Sequence, residues 1–101
     1  MHLVQILLPR ADNSGKAFPA EDFEWLKQEL ASEFDGVTLY SRAPAEGLWK
    51  QGSHVSSDDV VIFEVMTDHL DLVTWRERRA ELERKFRQER VIVRHLPMEL
   101  V

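Results

Sequence analysis

The stretch Asp58 to Thr67, Asp-Asp-Val-Val-Ile-Phe-Glu-Val-Met-Thr, constrains the fold of this chain more than any other. It is the longest β-favouring run, with three valines, an isoleucine, a phenylalanine and one charged residue, Glu64, in its interior. A strand that is apolar on both sides needs a layer or a neighbour on each side, so it is expected at the centre of a sheet. Alternation then divides it: Val61, Phe63 and Val65 on one face, Ile62, Glu64 and Met66 on the other.

The remaining elements arrange themselves around that strand. His2 to Leu8 alternates Leu3, Gln5 and Leu7 against His2, Val4, Ile6 and Leu8, and Pro9 ends it because proline donates nothing to a ladder. Arg10 to Phe18 is a polar, turn-rich loop. Its Asn13-Ser14-Gly15-Lys16 lacks the further glycine and the hydroxyl residue of a phosphate-binding loop. Pro19 suits a first helical position, and Phe23, Leu26, Leu30 and Phe34 recur at spacings of three and four, with Trp25 beside them. Asp35-Gly36 is expected to stop this helix, Gly36 in the left-handed cap.

Val37 to Ala43 reads as a second strand. Pro44 to Ser57 follows as a long connection without periodicity, carrying Leu48 and Trp49. After the central strand, Thr67 or Asp68 is expected to cap a second helix with Asp71 in its first turn. Its stripe is Leu72, Trp75, Leu82 and Phe86, interrupted by Arg79 and widened by Val73 and Ala80. Val91 to Leu96 is the last strand.

The order β-α-β-β-α-β predicts an α+β fold of the ferredoxin-like kind, one domain of 101 residues. Its sheet is antiparallel, in strand order 4-1-3-2, with both helices on one face. Right-handed crossovers are expected to make strands one and three parallel central neighbours.

Composition removes several classes of function. There is no cysteine, so disulfides and thiolate metal sites are excluded and a reducing compartment is the expectation. The apolar run Ile6-Leu7-Leu8 is too short for a membrane helix or a signal peptide, so a cytoplasmic protein without a membrane partner is expected. Thirteen Lys and Arg against 18 Asp and Glu give a net charge of −5, against a nucleic-acid partner. The arginine-rich segment from Arg76 to Arg90 is interleaved with Glu77, Glu81, Glu83 and Glu89 and reads as a solvated helix face. Serines are scattered outside any nucleophile elbow.

What remains is the uncovered face of the sheet. Leu3, Leu7, Ile62 and Met66 are too apolar to stay wet there, so the face is expected to be covered, most simply by a second copy related by a twofold axis. The Leu48-Trp49 loop is the rival cover. Glu64 is the candidate acid-base or ligand anchor on that face, with Gln5, Tyr40 and Arg42 around it. Alternation leaves the facing of Arg94 open. Trp49 is a candidate lid or interface anchor, with packing into its own core as the alternative. His2 and His95, at adjoining strand ends, with His54 and Asp58 expected at the same end, form a candidate metal-ligand set without supporting local spacing. On the parallel arrangement His69 falls at the opposite end.

The pieces Gly47-Leu48-Trp49-Lys50, the apolar strand from Val60, and Phe86-Arg87-Gln88-Glu89-Arg90-Val91 resemble short bacterial ferredoxin-like proteins without an assigned activity. The resemblance covers the second half of the chain, implies the fold, and carries over no catalytic residue. Acylphosphatase-like, RNA-recognition and metal-chaperone users of the fold lack their motifs here. The expectation is a dimeric interaction or ligand-binding domain that needs no cofactor. The alternative is a small dimeric α+β-barrel enzyme, monooxygenase-like or isomerase-like, using Glu64 or a histidine as acid-base.

Overall fold

The alternation in the first strand becomes a strand with one dry face: Val4, Ile6 and Leu8 are buried while Leu3, Gln5 and Leu7 are half-exposed. The computed structural model describes residues 1–42, 49–51, 54–56 and 60–101, with positions 40–42, 49–51 and 54–56 described by backbone alone. Along the chain run β1 (His2–Pro9), α1 (Ala20–Glu33), β2 (Val37–Arg42), β3 (Trp49–Gln51), β4 (His54–Ser56), β5 (Val60–Thr67), α2 (Leu72–Lys85) and β6 (Ile92–Pro97). The sheet order is β2-β5-β1-β6, the ferredoxin-like order, with β5 and β1 at its centre.

One expectation about that sheet is overturned. β1 and β5 pair antiparallel, His2 opposite Thr67 and Pro9 opposite Val60. Each helix crossover returns the chain in its starting direction, so β1 matches β2 and β5 matches β6. The two halves interleave with opposite sense, and every neighbouring pair is antiparallel. A second difference lies in the expected long connection, where β3 and β4 pair antiparallel as a two-stranded sheet. Three-residue strands are too short to show a period in sequence.

The core is one cluster beneath the helices, with Phe63, Phe86, Ile6, Leu8, Leu26, Leu30 and Leu82 fully buried. In α1 the stripe is as read: Leu26 and Leu30 buried, Phe23 and Phe34 packed against the cluster. The chain leaves α1 through Phe34 in an extended conformation, and Gly36 is not left-handed. Phe18, read as the end of a polar loop, joins the core and meets Phe23 edge-on at 6.5 Å. These residues are N′ and N4 of the helix, the two ends of a hydrophobic staple.

In α2 the cap is Asp71, whose carboxylate accepts from the amides of Val73 and Thr74, not Thr67 or Asp68. The buried stripe is Trp75, Arg78 and Leu82, continued by the cap residue Phe86. Leu72 and Val73 are exposed, and so is Arg79. Arg78 therefore leaves the solvated face expected for it. Its guanidinium hydrogen-bonds Glu33 at the end of α1 and lies 5.7 Å over Trp75, which satisfies a charge at 9% exposure. Arg87, just past α2, takes the left-handed conformation (φ 50°) that turns the chain toward β6.

Candidate functional site

Register fixes what the uncovered face presents, because residues paired across neighbouring strands point to the same side. Thr38 opposes Glu64, Glu64 opposes Gln5, and Gln5 opposes Arg94. One polar row thus crosses all four strands. Gln5 donates its amide Nε2 to Glu64, and Arg94 donates Nε to Gln5 Oε1 at 2.7 Å. A neutral amide joins a carboxylate on one side to a guanidinium on the other. Arg94, whose face alternation left open, belongs here.

Apolar rows flank the polar one. Ile62, Leu7 and Ile92 lie side by side on one flank, and Met66, Leu3 and Leu96 on the other. Met66, Ile92 and Leu96 are 42%, 49% and 44% exposed, which is large for three aliphatic or thioether side chains on a single sheet face. Of the other residues expected on this face, Tyr40 pairs with Ile62 and Arg42 with Val60 in register. Trp49 lies in β3. Leu48, the rival cover, is outside the described residues.

The histidine set is only partly brought together. His2 and His95 meet edge-on with ring centroids 5.7 Å apart, on the helix side of the sheet. With β1 and β5 antiparallel, β5 begins opposite Pro9, at the end of β1 remote from His2, so the expected convergence of Asp58 and His54 on that end loses its basis. His69, expected far away, instead follows Thr67, the residue opposite His2. Asp58 lies outside the described residues, and His54 is described by its backbone in β4. Among the described residues no three His, Cys, Asp or Glu side chains could hold a metal ion together.

Among the described residues two carboxylates are held below the usual range, both at turns. The Asp71 carboxyl is lowered by the Thr74 hydroxyl and by the amides of Thr74 and Val73. Asp12 is lowered by the Ser14 hydroxyl, then by the Lys16 and Ser14 amides and the charge of Arg87. These bonds pin the entry to α2 and the loop after β1. Asp71 is exposed and Asp12 part-buried, and the work of both is structural.

The fold and this face define the class: a ferredoxin-like α+β domain with a two-sided sheet, one side under helices and the other, among the described residues, bare. No protein-family model, curated protein or solved structure matches the chain. Among the described residues no helix is long and apolar enough to cross a membrane.

Proposed function

We propose that the protein is a homodimeric interaction domain whose uncovered sheet face is the seam between two copies. The observation that carries this is the order of side chains across the face. Consider a twofold axis lying along β1 at the Gln5 position, between two stacked sheets. It places β5 of one copy over β6 of the other. Glu64 then meets the partner's Arg94 and Arg94 the partner's Glu64, while Ile62 meets the partner's Ile92 and Met66 the partner's Leu96. An axis perpendicular to the strands would instead set Glu64 against Glu64. Only the first arrangement matches opposite charges and apolar rows together, which is the self-complementarity that an isologous interface requires.

Size supports a modest affinity. The longest strands have eight residues. At ~3.3 Å per residue and ~4.8 Å per strand, the face covers about 400 Å² in projection, so two copies bury on the order of 1,000 Å², the low end of specific interfaces. A reversible, concentration-dependent dimer follows. Light scattering or sedimentation velocity on Met66→Asp and Ile92→Asp tests the reading. Both substitutions lie on a solvated face of the free chain, so each should yield a folded monomer. A wild-type chain that stays monomeric as concentration rises, or variants that keep the dimer mass, would refute it.

A further inference from the structure

On the helix side of the sheet, at the seam between α2 and β6, lies a cavity of about 120 Å³. Its floor is apolar: Val4 and Val93 from adjacent strands, Trp75 from α2, and Leu70 from the turn before it. Its rim is formed by the exposed side chains of two cations, Arg76 and Arg79, with the imidazole of His95 beside them. Among the described residues no carboxylate lines it, in a chain whose net charge is −5.

Asp71, Glu77 and Glu83 do not line it. Asp71 accepts from the amides of Val73 and Thr74 and from the Thr74 hydroxyl. Glu77 borders the opposite side of α2 with Glu33 and Arg78, and Glu83 accepts from the Val91 amide. Among the described residues neither Arg76 nor Arg79 forms an ion pair. Three residues apart on a helix, they share a face and can bring two guanidinium forks to one anion. His95 is steadied behind them by the edge of His2.

We propose that this cavity binds a small free carboxylate carrying a compact apolar body, with the carboxylate between Arg76 and Arg79 and the body against Trp75. Benzene fills an enclosed cavity of about 150 Å³, so a space of this size, open at its mouth, admits one ring or a short branched chain. The guanidinium pair recognises the planar, bidentate acceptor, and the floor excludes a bare hydrated anion from any gain by burial. The site lies on the other side of the sheet from the proposed seam and does not depend on it.

Titration of the full chain with benzoate, followed by amide and indole NMR shifts, tests the proposal. The expected result is saturable shifts confined to Leu70, Trp75, Val93, His95 and their neighbours, with a Kd of about 1 mM given the ligand efficiency of so small a molecule. Benzyl alcohol, the neutral counterpart, should bind at least about tenfold more weakly, because it forfeits the charge-assisted bonds. Inorganic phosphate should leave the Trp75 indole unmoved. In Arg76→Gln/Arg79→Gln, whose two sites are exposed and whose fold the same spectra check, benzoate should bind about tenfold more weakly with benzyl alcohol unaffected. Scattered or absent benzoate shifts would overturn the site. Equal binding of benzyl alcohol, equal binding of phosphate, or an unchanged Kd in the double variant would overturn the carboxylate assignment.

Discussion

The two faces of the central sheet are built from the same strands and differ in what they leave unsatisfied. Toward the helices, Val4, Ile6, Leu8, Val61, Phe63 and Val65 are between 0% and 5% exposed and need nothing further. Toward the other side, a hydrogen-bonded row of Glu64, Gln5 and Arg94 runs between two half-exposed apolar rows. A single strand thus serves two ends. β5 closes the protomer with one set of side chains and, on the reading proposed above, addresses a second copy with the other.

Substitutions that treat the faces alike should therefore give unlike results. Phe63→Ala, on the closed face, should cost about 3–5 kcal/mol in denaturant unfolding, since it empties a fully enclosed site. Ile62→Ala, one residue away, should cost less than about 1 kcal/mol in the monomer, because its side chain is still partly in water there. Comparable losses at the two positions would break the contrast.

Among the described residues the closed side buries one charged side chain, Arg78, and its pair with Glu33 allows an intermediate test. Glu33→Ala strands a buried guanidinium and should cost about 1–2 kcal/mol, discounted from the fully buried case because Glu33 itself is half-exposed. Arg78→Met removes the charge and fills the space, leaving Glu33 in water, so it should cost less than Glu33→Ala. Thermal melts of the two variants decide the order.

The smallest effect is the dependence on acid. Asp71 and Asp12 have folded pKa values lowered from 3.8, so the unfolded chain binds more protons in acid. Their contribution is present in full above about pH 4 and is lost as pH falls through the lowered folded values. Asp71→Asn and Asp12→Asn should flatten the acid limb of stability against pH and leave the neutral plateau's dimer mass unchanged.

Much of the closed face was legible in sequence because alternation and three-to-four spacing are period effects. Val61, Phe63, Val65, Leu26 and Leu30 all lie where those periods put them. What escaped was whatever depends on direction or on single contacts. The parallel pairing of the central strands went wrong because periodicity carries no sense of strand direction, and with it went the histidine convergence. Arg78 was hidden by its neighbours' charge, since burial of a cation rests on one distant partner, Glu33, 45 residues away. Phe18 was readable after all: an aromatic just before the helix cap and another four residues inside the helix form a staple pattern. The open-face row was half legible. Gln5 and Glu64 follow from alternation, whereas Arg94 needed the register of β6 against β1.

Charge exchange across the proposed seam tests the central claim most directly, read as molecular mass by sedimentation velocity over a concentration series. The wild-type chain should dimerise reversibly, Arg94→Glu alone should be a folded monomer because two carboxylates would then face each other, and Glu64→Arg/Arg94→Glu together should restore the dimer. A single reversal that leaves the mass unchanged, or a double exchange that stays monomeric, would contradict the account.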